Sequence, residues 1–176
     1  MATSTSTQIL VDTNKRAVIK RVGIFDTAGG DEPRTIMLDA TSLSGTLDAN
    51  GRLWRAGNTL PAGFGANALT VIRMNYMVDG EVGHVQVKWD GGSAANDRTI
   101  FAVGVGNGDT NPMGNIPAIT NNALTPTGNL VVQTFGSTAN AAYTLILELH
   151  KNTTYYDIGV YKDPAAFNYG EYSLKP

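Results

Sequence analysis

Histidine occurs only at His84 and His150, each alternating with apolar residues along an extended run. A catalytic or metal-bound histidine needs partners at fixed geometry, and neither run supplies a second ligand nearby, so both read as strand-face residues. The serines, Ser93 and Ser137 among them, lie in plain loops without the sharp strand-to-helix turn that presents a nucleophile. Three carboxylates, Asp90, Asp97 and Asp109, sit in or beside glycine-rich loops where oxygen ligands for calcium could gather. Their spacing matches no EF-hand loop and lacks its terminal glutamate. The run GVGNGDTNPMGN has close-spaced glycines after a strand, as phosphate cradles do, but no GxGxxG opening a helix and no P-loop lysine. Cysteine is absent, which removes disulfides, thiolate metal sites and cysteine nucleophiles together. The expectation is a chain with no catalytic residue, no cofactor and no metal.

Aromatic residues offer the chemistry of contact instead. Trp54, between Leu53 and Arg55, is a candidate platform for stacking on a sugar, whereas Trp89 falls in an apolar row and reads as core. The sequon Asn152-Thr153-Thr154 carries meaning only in a secreted protein. Tyr155, Tyr156, Tyr161, Phe167, Tyr169 and Tyr172 crowd into residues 152–176, while the preceding residues hold only Tyr76 and Tyr143 as tyrosines. Tyrosine pairs a large contact area with a polar tip, so these six are the expected protein-interface residues.

Charge and composition narrow the partners. Charged residues make up 16% of the 176, against roughly 25% in ordinary soluble proteins. Ser, Thr, Asn and Gly supply the polarity, and short neutral side chains are easily covered without stranding a charge. Net charge is −2, and only Lys15, Arg16, Lys20 and Arg21 form a basic cluster, so direct nucleic-acid binding is not expected. The opening MATSTSTQIL lacks a secretory pattern and no run nears the ~20 apolar residues of a membrane span, so the expectation is a soluble chain made in a cytoplasm, with no membrane partner.

The elements that must position these residues read as strands. Residues 1–8 are Ser/Thr-rich without a hydrophobic pattern and are expected as an N-terminal arm. RAVIKRVGIF alternates as a strand, and DTAGGDEP turns into RTIMLDA, so these two are expected to pair as a hairpin. Residues 41–68 are broken by glycine and proline, with Asn50-Gly51 marking a small hairpin around Leu47, Leu53 and Trp54. A central pair is joined at Asp79-Gly80: Ile72, Met74, Tyr76 and Val78 make one apolar row, and Val85, Val87 and Trp89 the other. RTIFAVGVG adds a strand with Ile100, Ala102 and Val103 available for burial, and residues 104–128 read as loop. NLVVQTF and YTLILELHK follow; in the last, Tyr143, Leu145, Leu147 and Leu149 share one face. No helical periodicity is long enough to pack. The pattern predicts an all-β, antiparallel, jelly-roll-like β-sandwich over residues 9–151 with extended arms at both ends, the Tyr-rich arm at 152–176 carrying one added strand in YYDIGVY.

The motifs TQILVDTNKRAVIKRVGIFDT, IRMNYMVDGEVGHVQVKWD and GNLVVQTFGSTANAAYTLILELHK, in this order, resemble a group of small virion structural proteins of tailed bacteriophages, over residues 8–151. In that group a strand ending in Trp-Asp and a strand of the YTI.LEL.K kind recur. The resemblance implies a non-enzymatic capsid decoration or cement protein on the virion surface. Its implied partners are the major capsid protein and further copies of itself, a trimer being one fit to capsid symmetry. From another class comes a carbohydrate- or receptor-binding component of the phage tail using Trp54 and nearby loops; an esterase or glycosidase has no motif behind it.

Overall fold

The computed structural model describes residues 2–25, 30–79, 82–109 and 118–157. Extended runs with one apolar side can be buried only by stacking two layers, and that is what the chain does. The strands are β1 (Ala2–Asp12), β2 (Arg16–Phe25), β3 (Thr35–Leu38), β4 (Leu69–Asp79), β5 (His84–Trp89), β6 (Arg98–Val103), β7 (Gly106–Asp109), β8 (Ile119–Thr120), β9 (Leu130–Phe135) and β10 (Ala142–Lys151). One antiparallel sheet runs β1-β2-β10-β4-β7, with β8 on β4; the second runs β3-β9-β5-β6. From β2 to β5 successive strands fall in alternate sheets, and β9 and β10 return between the strands already laid. This order is that of a jelly roll with β1 added outside β2. The expected all-β antiparallel sandwich is therefore the fold. One four-residue helix, Phe64–Asn67, and a 3-10 turn, Ala40–Ser42, lie in the connection before β4.

The alternation that marks β10 in the sequence becomes the spine of the core. Tyr143, Leu145, Leu147 and Leu149 are all buried, facing Val85, Val87, Trp89, Leu130 and Val132 of the second sheet. Each fully buried apolar side chain of this size contributes about 1.5–3 kcal/mol. In β4 the expected inward row is broken: Glu148 pairs with Arg73 but Leu149 pairs with Val71, so Ile72 is an extra residue at a bulge. Leu69 and Val71 face inward before the bulge, Met74 and Val78 after it, and Ile72 drops out of phase.

Several expectations are corrected. Residues 2–8 are not a free arm: they form most of β1, registered on β2 from Ala2↔Phe25 to Asp12↔Ala17. The proposed hairpins β2–β3 and β4–β5 do not pair, because a jelly roll sends consecutive strands to opposite sheets, where both apolar rows find a facing layer. Residues 106–109, expected as loop, form β7, since Tyr76 lies flat over Gly108, where an added Cβ would sit 2.8 Å from the ring. Ala102 is exposed and Ile100 only partly covered, as β6 is an edge strand with an irregular register on β5. The domain also extends past residue 151 to at least Asp157, whose N–H donates to Gly45 O at 2.6 Å. The Asn50-Gly51 turn forms as expected, with Leu47 bridged to Leu53.

Glycine is required at Gly23, directly across from Tyr143, because a Cβ there would lie 2.3 Å from the phenol ring. Gly23→Ala is expected to displace that ring and cost about 1–3 kcal/mol, the usual range for overpacking. A urea titration followed by tyrosine fluorescence measures it.

Candidate functional site

Three largely buried clusters hold seven of the 28 charged residues. Arg21 on β2 pairs with Glu32, and the Tyr143 hydroxyl donates to the other oxygen of the same carboxylate. Arg21 Nη1 also donates to Thr7 Oγ1 at 2.9 Å, so the cluster holds β1, β2, β10 and the chain before β3 together. Glu32 is fixed from both sides by Thr134, through Glu32 N–H to Oγ1 at 2.7 Å and Thr134 N–H to Glu32 O at 3.1 Å. Burial, with the neighbouring carboxylate, pushes the Tyr143 phenol far above its ordinary value.

The second cluster contains two of the carboxylates considered for calcium. Arg34 forks onto Asp97 through Nε at 2.7 Å and Nη2 at 3.0 Å, and reaches Asp90 as well. Asp97 also accepts from Gly91 N–H at 2.9 Å; Asp90 accepts from Gly92 N–H at 2.8 Å and from Thr127 Oγ1 at 2.6 Å. The carboxylates thus clamp the 90–97 loop onto β3 and the 125–129 segment. Burial raises the Asp97 carboxyl, but the hydrogen bonds from Arg34 and Gly91 and the nearby guanidinium outweigh it and leave it below its usual value. Asp109, the third, lies away from these on the outer face and pairs with Arg73.

The third cluster has no signal in the sequence beyond register. Lys151 continues the inward row of Tyr143 to Leu149 by one step and is fully buried. Its Nζ donates to Asp12 Oδ1 at 2.5 Å, Thr13 O at 2.9 Å and Ser44 O at 2.7 Å, and stands 4.8 Å above the Tyr156 ring. All three ammonium hydrogens are therefore met.

The predicted interface tyrosines divide. Tyr155 and Tyr156 are buried within this chain's own fold, which corrects their reading as a docking surface. Tyr155 packs edge-on against Phe64 and Tyr156 hydrogen-bonds Ala40 O at 3.1 Å. The cause is Lys151, whose ammonium attracts the Tyr156 ring and the loop at Ser44 to the open end of the sandwich. Tyr161, Phe167, Tyr169 and Tyr172 lie outside the described residues, as does most of the strand expected in YYDIGVY. Trp89 is core, as expected. Trp54 is partly covered, and its indole N–H donates to Asn58 O at 3.2 Å within a loop organised by Asp48. His84 stacks on Phe135 at 4.9 Å and meets Gln86, not a serine, while His150 stands exposed on the outer face.

What remains on the surface includes an extended, sparsely charged area. The outer side of the larger sheet carries rows that register as Ser6, Val22, Thr144 and Met77, then Ser4, Ile24, Ala142 and Asp79. Ile24 is 50% exposed and Met77 56%. The next row brings Lys20 and Asp109, and toward the opposite end Arg16 pairs with Glu148 at 2.6 Å. Beyond β2, residues 4–6 and 8–11 of β1 are exposed on both sides of the strand, Ile9 at 44% and Leu10 at 50%. The segment expected as an arm is thus an edge strand, for which its alternating Thr and Ser were the available signal, threonine being a strand former.

Lys151→Met should strand Asp12 and two carbonyls, costing about 3–5 kcal/mol, as for breaking other buried pairs; chemical denaturation at neutral pH measures it. Asp97 predicts a pH dependence. Its folded-state value is lowered, so its stabilisation is complete above the unfolded value of about 3.9 and is lost as pH falls through the lower folded value. Asp97→Asn should therefore be less stable than the native chain at pH 7, with the gap in urea midpoint closing toward pH 2.

No family model and no curated protein matches this sequence. Among solved structures the chain is similar to a mutant of a family 29 carbohydrate-binding module, with a TM-score of 0.32 and 6% identity over 96% of this chain and 97% of that one. A likeness at that level carries no argument about function.

Proposed function

We propose that this chain is a non-enzymatic structural protein of a bacteriophage virion, a decoration or cement protein that reinforces the capsid shell from its outer surface. The observation that carries the reading is the sparsely charged part of the larger sheet's outer face around Val22, Ile24, Thr144 and Met77. Its Ser, Thr, Val, Ile and Met rows can be covered by a partner without leaving a charge unpaired. Exposed Ile24 and Met77 give that face apolar anchors. Supporting it are the resemblance of the strand motifs to those of small tailed-phage virion proteins and the use of Asp90 and Asp97, the carboxylates considered for calcium, in a structural clamp with Arg34. In this reading the partners are the major capsid protein and other copies of the chain. The protein is made in the host cytoplasm and resides on the virion.

The competing reading, a glycan- or receptor-binding tail component, relied on Trp54. Trp54 is partly covered, and its in-plane N–H bond to Asn58 fixes the ring without occupying its face, so the glycan array decides this reading.

The test is co-sedimentation of the purified chain with undecorated phage shells, alongside a glycan array. Shell binding is expected to saturate, and Met77→Glu together with Ile24→Glu should weaken it at least tenfold, since each buries an unpaired charge. Saturable glycan binding with no shell binding would replace this reading with the tail-component one. Deleting residues 158–176 leaves the Tyr155 and Tyr156 packing in place, so that variant tests the remaining aromatic residues separately from folding.

A further inference from the structure

We infer that β1 is the self-association strand of this protein, pairing antiparallel with β1 of a second copy so that the two larger sheets become one continuous sheet. The inference rests on the reading of the chain as a structural subunit and names how copies join. Of the sheet edges among the described residues, β7 and β3 span four residues each and β6 opens on Arg98. β1 spans eleven, and its first ten positions hold no Lys, Arg, Asp, Glu or Pro. Long edges are ordinarily protected by those residues, because unpaired N–H and C=O groups recruit another strand. Here the strand also projects beyond the sandwich, exposed on both sides.

The occupant follows from the sequence of the strand itself. Thr3-Ser4-Thr5-Ser6-Thr7 reads the same in both directions. Antiparallel pairing about Thr5 therefore sets Thr5 opposite Thr5 and Ser4 opposite Ser6. It opposes no like charges, and Thr and Ser pairs of this kind favour sheets. Faces match over residues 4–9, the regular stretch between register shifts at Ala2/Ser4 and Ile9/Val11: Thr5 and Thr7 register on Gly23 and Arg21, inward positions, while Ser4 and Ser6 register on Ile24 and Val22, outward ones. Such a two-fold contact closes on itself. It joins copies in pairs, in place of the trimer expected from capsid symmetry.

Because the chain has no cysteine, Thr5→Cys places one thiol on the proposed axis. Paired Cα atoms there would lie about 4.5–5.5 Å apart, within disulfide reach. Asn14→Cys, in the β1–β2 turn, is the control, its thiols falling about 60 Å apart in the same dimer at ~3.4 Å per residue. The full-length T5C chain should oxidise to a disulfide dimer at least about tenfold faster than N14C, as expected for two thiols held at high effective concentration. Sedimentation of the native chain should give twice its 18.6 kDa. Thr5→Lys should return it to a monomer with the native far-UV circular dichroism spectrum, since Thr5 is exposed within the single chain, and its melting temperature should no longer depend on concentration. Equal cross-linking of T5C and N14C, with a monomeric native chain, would overturn the pairing. A monomer that still binds shells would sink this inference alone. A dimer that ignores them would sink the capsid reading alone.

Discussion

Strand β10 must satisfy two hydrogen-bond ladders and a buried charge at once. It lies between β2 and β4, and its inward row runs Tyr143, Leu145, Leu147, Leu149 and then Lys151. A one-residue slip would turn all five outward, so the hydrophobic alternation and the lysine's ligands enforce a single register. The lysine is the more exacting part. An ammonium out of water is tolerable only when all its donors are met, and Asp12, Thr13 and Ser44 come from two separate stretches of chain. The end of β1, the β1–β2 turn and the loop before Thr46 are therefore fixed through one side chain.

From that anchor the remaining clusters follow the same logic. Arg21 with Glu32 and Tyr143, and Arg34 with Asp90 and Asp97, each join segments far apart in sequence at the ends and flank of the sandwich. Buried pairs of this kind add little net stability over apolar packing, but losing one partner is costly, which makes them devices for specifying a single arrangement. Their functional consequence is on the surface. Around Val22, Ile24, Thr144 and Met77 the outer face is sparsely charged, and a Ser/Thr-rich area of that kind can be covered by a partner with a small desolvation cost.

The positions of the tyrosines show how this changes a functional reading. A cluster of aromatics near one end of a sequence suggests an adhesive arm, yet Tyr155 and Tyr156 close the core beside Phe64. The contact surfaces proposed for the described residues are instead β1 and the outer rows around Ile24 and Met77. The Ser/Thr-rich run of β1 stands out in the sequence, but its place at a sheet edge, and which face of the larger sheet is outward, are visible only from the strand order.

The all-β class, most strand positions, the buried rows of β5 and β10 and the core place of Trp89 were legible in the sequence, because side-chain alternation is a local property of an extended chain. Strand partners were not. Alternation says that a strand has an inner face but not which sheet supplies the other layer, so the two expected hairpins became sheet crossings. The bulge at Ile72, the role of Gly108 beneath Tyr76 and the ligands of Lys151 likewise depend on residues remote in sequence. Local periodicity set what each segment would be; only tertiary structure decided what it would touch, because contact between distant segments is fixed by the shared burial of all of them.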